Sequence, residues 1–182
     1  MATVEPWYIG ERAEALATMY LTRRQDLEVS SVSPRSRYTG SDIQIRLKSK
    51  SGGAPITFIV KVKGVFRSSP RLGLPSSRMF PVRYAVQELE DRGLPVCIFL
   101  FTVDDERGYY RWLYEPVVSD QQQAVLRLEQ NFASISPEDQ ERQQVVILSK
   151  FEELNDEAIA KVVHQVMQWY RAARPVLAVY SV

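Results

Sequence analysis

Ser41-Asp42-Ile43-Gln44-Ile45-Arg46-Leu47, then a Gly52-Gly53 turn, then Ile56-Thr57-Phe58-Ile59-Val60-Lys61-Val62-Lys63, is the stretch on which the fold turns. In the first segment Ile43, Ile45 and Leu47 alternate with Asp42, Gln44 and Arg46, the period of a strand with one apolar face. The second segment is rich in β-branched residues. Residues 48–55 between them hold two glycines and a proline, so the pair reads as an antiparallel hairpin. Residues two apart share a face, so Ile59, Lys61 and Lys63 point one way and Phe58, Val60 and Val62 the other. If both apolar faces are buried, Asp42, Lys61 and Lys63 lie on the same side of the sheet.

Outward from the hairpin the pattern alternates between helix and strand. Ile9, Ala13, Leu16, Ala17, Tyr20 and Leu21 form one stripe of an amphipathic helix over residues 9–24, and a short strand follows at 27–32. Residues 33–40 and the Ser-, Pro- and Arg-rich residues 65–81 read as loops. A helix is expected over 81–92, with Gly93 placed to end it, then a buried strand at 96–103, a turn at 104–108 and an aromatic strand at 109–114. A polar helix is expected over 118–132 and a short strand at 145–148. A helix is expected over 155–174, capped by Asn155 and stopped by Pro175, with a last apolar piece, strand or tail, at 176–182. The class is α/β, a mixed sheet flanked by helices, in one domain with its core over 9–115 and a helical extension over 116–182.

The chain has 182 residues, 45% hydrophobic and 25% charged, an ordinary soluble composition with enough length for a real core. Its net charge of +1 conceals a strong division. Residues 35–83 carry 11 basic side chains and a single acid, Asp42; residues 84–182 carry 9 basic and 16 acidic. One cysteine and one histidine exclude a disulfide framework and a Cys/His zinc site. Cys97, inside Val96-Cys97-Ile98-Phe99-Leu100-Phe101, reads as a buried small hydrophobe, and His164 as a helix residue. Nothing resembles a signal peptide, and no apolar run approaches the ~20 residues of a membrane helix. An intracellular, cytoplasmic protein with no membrane partner is expected.

Gly10-x-x-x-Glu14 in the first helix, Gly40-Ser41-Asp42 opening a strand and Phe58-Ile59-Val60-Lys61-Val62-Lys63 closing the hairpin resemble the PD-(D/E)xK, restriction-endonuclease-like superfamily. The closest likeness is to a bacterial branch of unknown function, whose later helix, "Pro-Val" strand and Tyr-Trp-like strand correspond here to Leu94-Pro95-Val96 and Tyr109-Tyr110-Arg111-Trp112. The resemblance covers residues 9–115. It implies a nuclease core in which Asp42 binds Mg²⁺, Lys63 orients or activates the attacking water and Glu14 supplies a further carboxylate. A hard cation on oxygen ligands is what charge development on a scissile phosphate requires.

The departure from the pattern is Lys61, which stands where a Glu or Gln ligand is expected. An ammonium repels a metal ion: unit charges 4 Å apart interact by ~4 kcal/mol at an effective dielectric of about 20. A Mg²⁺ site here is therefore weak or absent, unless Glu14 or Glu11 replaces the ligand or Lys61 points away. The resemblance thus implies an endonuclease-like domain that is catalytically impaired and binds nucleic acid or a partner protein. The alternatives are an active Mg²⁺-dependent nuclease using Asp42, Lys63 and Glu14, or an unrelated α/β protein-interaction domain. Lys61, Arg46, Arg67, Arg71 and Arg78, within the basic segment 35–83, are the candidate phosphate contacts. Tyr110, Trp112 and Tyr114 alternate onto one face of the aromatic strand, suited to packing under a helix or to base stacking. The C-terminal helix carries a wide apolar stripe, Ile159, Val162, Val163, Val166 and Tyr170, fit for the core or for a homodimer or partner contact.

Overall fold

The computed structural model describes residues 8–31, 41–48, 55–66, 80–84, 86–128, 144–148 and 151–177. Helix α1 (Tyr8–Thr22) precedes strands β1 (Leu27–Ser31), β2 (Ser41–Leu47) and β3 (Ile56–Val65). Strand β4 (Phe80–Tyr84), helix α2 (Val86–Arg92) and strands β5 (Val96–Thr102), β6 (Arg107–Val118) and β7 (Ala124–Leu128) follow. Strands β8 (Gln144–Leu148) and β9 (Glu152–Glu153) and helix α3 (Asp156–Leu177) complete the order. The class is mixed α/β in one compact domain.

Among the described residues the main sheet has seven strands in the order β1-β2-β3-β5-β6-β7, with β9 pairing the start of β6. The expected hairpin is present as antiparallel β2 and β3, with Asp42 directly opposite Lys61. A parallel β5 lies on the far side of β3, and a crossover through α2 is what lets the chain return in that direction. Side-chain alternation divides the core between the two faces. On one face Ile43, Ile45, Phe58, Val60, Val62, Cys97, Phe99 and Phe101 pack against α1 (Ile9, Ala13, Leu16, Ala17, Leu21) and α3 (Ile159, Val162, Val163, Val166). On the other, Ile59, Val65, Val96, Ile98, Leu100 and Leu113 pack with Leu89 of α2 and with Phe151.

Close approach sets α1 on the sheet. A Cβ on Gly64 would meet the carbonyl oxygen of Ile9 at 2.6 Å and the Cβ of Ala13 at 3.1 Å, so the small residues Gly64 and Ala13 let helix and strand touch. Polar groups fix α3: Tyr170 Oη donates to the Thr57 carbonyl (2.8 Å), Trp169 Nε1 to the Val125 carbonyl (2.9 Å) and Trp112 Nε1 to Gln165 Oε1 (3.1 Å). Asn155 caps α3 as expected, its Oδ1 accepting from the Ala158 N–H at 2.8 Å.

Four expectations are corrected. Residues 80–84 are a strand rather than the start of a helix, because they pair with 144–148 in a separate two-stranded sheet, a partner some sixty positions away that local periodicity does not register. The polar helix expected over 118–132 is, within the described part, a turn and then β7. Here Gln122 takes a positive φ of 59° and Ala124–Leu128 pair with Tyr114–Val118. Helix α3 continues past Pro175 to Leu177, since a proline in a last turn removes only a bond near the end. Tyr114 does not share a face with Tyr110 and Trp112: a register shift opposite Val96/Cys97 sends Tyr114 to the Leu113 side, while Tyr110 and Trp112 pack toward α1 and α3. The loop at 33–40, nearly all of 65–81, and the end of the tail at 178–182 lie outside the described residues.

Candidate functional site

Strand β2 pairs β3 along its whole length, so its second residue, Asp42, lies directly beside Lys61, one position beyond the end of the β1 pairing. The face it occupies reads as polar in sequence (Asp42, Gln44, Arg46), but the fold covers its Asp42 end: Asp42 is 4% exposed and Lys61 3%. Central strands of a sheet with helices on both faces are buried on both faces, and these two residues are buried with them.

A buried carboxylate needs partners, and Asp42 has two cations. Lys61 Nζ donates to Asp42 Oδ1 at 2.8 Å, directly across the hairpin. Arg92 Nη1 lies 2.9 Å from Asp42 Oδ2, and the Arg92 side chain is 27% exposed. Arg92 reaches this position because α2 stops there. Gly93 has a φ of 57°, its N–H bonds to the Glu90 carbonyl, and the chain turns into Leu94-Pro95. The Pro95 carbonyl accepts from the Ile59 N–H at 2.9 Å, fixing the helix end beside β3.

The same face carries more positive charge. Lys61 is in register with Ile98, which faces Arg111 on β6, and Lys63 is in register with Leu100, which faces Tyr109. Lys61, Lys63 and Arg111 therefore share with Asp42 the side of the sheet away from α1, and of the cations on that side Lys61 and Arg92 contact its carboxylate. Arg46 lies further along β2 on this face, exposed, with its guanidinium 3.9 Å from Glu28 of β1.

Of the expected site, Asp42, Lys61 and Lys63 are brought together. Glu14 is not: it belongs to α1, which packs on the opposite face, and so does Glu11. Arg67, Arg71 and Arg78 lie outside the described residues. Arg92 is the member that sequence reasoning missed. Its signal was the sequence Arg92-Gly93 at a helix end, which marks where the helix stops but not which strand lies beside it.

The residues present do not fit a divalent cation at Asp42. Each carboxylate oxygen already meets a positive group, and the residue directly opposite on β3 is an ammonium rather than an oxygen ligand. Among the described residues no three His, Cys, Asp or Glu side chains stand close enough to share a metal ion. Cys97 is fully buried, and burial pushes its thiol well above the ordinary range, the setting of an inert cysteine. His164 is exposed on α3 within 2.8 Å of Gln168 Nε2. No helix among the described residues is long and apolar enough to cross a membrane. Neither the protein-family models, nor the curated proteins, nor the solved structures contain a match to this chain.

Proposed function

We propose that this chain is a restriction-endonuclease-like domain that binds nucleic acid without cutting it. One observation carries the reading: the carboxylate that would hold the catalytic metal is buried and ion-paired to Lys61 on one oxygen and to Arg92 on the other. Hydrolysis of a phosphodiester through a metal requires that carboxylate to be open to a cation and to water. A buried pair surrenders its geometry only at a cost of several kcal/mol.

Two further features support the fold and the ligand. Helix α1, the Asp42 strand, the Lys63 strand, helix α2, the Pro95-Val96 strand and the Tyr109–Trp112 strand occur in the order that the resemblance implies, and the strands are neighbours in one sheet. Positive charge is concentrated on the Asp42 face, where Lys63, Arg92 and Arg111 accompany Lys61. Lys61 is buried, but Lys63, Arg92 and Arg111 are partly exposed, and lysines and arginines that reach a surface attract a phosphate backbone through the release of condensed counterions.

The test is to incubate the purified chain with DNA and RNA in Mg²⁺ and in Mn²⁺, following cleavage on gels and binding by fluorescence anisotropy at several salt concentrations. Binding that weakens steeply with salt and leaves the nucleic acid intact is expected. Cleavage abolished by Asp42→Ala would establish an active nuclease, and absence of binding to either polymer would end the nucleic-acid reading.

A further inference from the structure

The Lys61–Asp42–Arg92 cluster has a consequence beyond loss of cutting. In a metal-dependent phosphate site a divalent ion does two things: it cancels the charge of the carboxylates, and it leaves an excess of positive charge for the phosphate. Here the first role has a covalently attached substitute. Lys61 Nζ sits 2.8 Å from Asp42 Oδ1, both side chains are buried, and the two are fixed opposite one another by the β2–β3 register. The second role has candidates too. Arg92 adds a second positive charge at the same carboxylate and is the most exposed of the three, so the cluster bears a net charge of +1. Lys63, two residues beyond Lys61 on the same face, is half-buried.

We propose that Lys61 is a built-in counter-cation: by permanently neutralising Asp42 it lets Arg92 and Lys63 hold a phosphate group at this corner without any divalent metal. This rests on the nucleic-acid reading above for its natural ligand, but its chemistry is that of a phosphate. Lys61 itself stays on Asp42 and does not touch the phosphate. Without it, Asp42 would be neutralised by Arg92 alone, the cluster would lose its excess positive charge, and the carboxylate would repel an approaching anion.

The experiment titrates two probes, inorganic pyrophosphate and a short mixed-sequence DNA duplex, against wild type, Lys63→Ala, Lys61→Gln and the double variant Asp42→Asn/Lys61→Gln. Each titration is run in EDTA and again with Mn²⁺, and thermal unfolding is recorded for every variant. Wild type is expected to bind both probes equally in EDTA and in Mn²⁺, and Lys63→Ala to weaken binding about tenfold, the scale of one charge-assisted contact. Lys61→Gln is expected to lose binding about tenfold in EDTA and to regain it with Mn²⁺, because the released carboxylate then needs a cation. The double variant, with both charges removed, is expected to bind without metal; it also tests the idea if Lys61→Gln does not fold. Wild-type binding that requires Mn²⁺ overturns the proposal and leaves the nucleic-acid reading standing. Metal-independent binding of pyrophosphate with none of the duplex does the reverse. A double variant that folds but binds no better than Lys61→Gln overturns the counter-cation role.

Discussion

Asp42 shows how one side chain acquires a meaning from its surroundings. A carboxylate at a strand start is ordinarily a solvated group, but here it is enclosed with two cations, and each of the three depends on the others. Removing one partner of a buried ion pair leaves an uncompensated charge. Lys61→Ala is therefore expected to destabilise the fold by about 3 kcal/mol, the low end for such a loss, since Arg92 remains on the carboxylate. Chemical denaturation measures it, and an effect within error of zero would show that the pair is solvated. A second cluster gives a pH prediction. Tyr110 Oη donates to Glu152 Oε2 at 2.8 Å, and Lys161 Nζ donates to the same oxygen at 2.9 Å. Burial, and then the Glu152 carboxylate, push the Tyr110 phenol well above its ordinary value. Lys161, and then Tyr110, hold Glu152 below the usual carboxylate range. A raised phenol favours the folded state below the unfolded tyrosine value of about 10 and loses that contribution as pH rises beyond it. The lowered Glu152 works in the opposite sense: its contribution is present above the unfolded value of about 4.3 and lost as pH falls through the folded one. Stability measured against pH should thus fall on both sides, and Tyr110→Phe should flatten the alkaline limb.

Elements are positioned by a few residues that periodicity does not weigh. Gly64 reads as a neutral member of a strand, yet α1 sits so close that an added methyl would lie 2.6 Å from a backbone oxygen. Gly64→Ala is expected to cost about 1–3 kcal/mol, because the helix has to lift and a carbonyl cannot rotate aside as a side chain would. Thermal unfolding reads this directly. At the start of α3 the Asn155 side chain accepts the Ala158 N–H, and Asn155→Ala should cost about 1 kcal/mol. Such local signals are legible in sequence because a cap acts on its own helix. The bulge on β6 is the contrary case: nothing in Tyr109–Tyr114 marks it, since it arises from pairing with Val96 and Cys97. It nonetheless decides which aromatics pack toward α1 and α3 and leaves Tyr114 on the other face.

At the scale of the molecule, residues beyond 115 do not form an extension of a finished core. Strand β7 continues the sheet, and α3 places Ile159, Val162, Val163 and Val166 in the same cluster as α1 and β3. A chain ending at residue 150 would uncover Phe58, Phe99 and their neighbours on that face. It is expected to lose cooperative unfolding and near-ultraviolet dichroism; a cooperative transition would show that residues 1–150 fold alone.

By itself the sequence determined the hairpin, the helix at each end, the buried strand around Cys97, and the gathering of Asp42, Lys61 and Lys63 on one face. Each of these follows from period, capping and strand alternation, which are local properties of the chain. Only the tertiary structure decided that this face is covered, that Arg92 arrives at Asp42 from a helix end fifty residues away, and that Glu14 lies across the sheet. Those outcomes depend on which elements stack on which side, and stacking is set by the summed burial of the whole core rather than by any residue's neighbours in sequence.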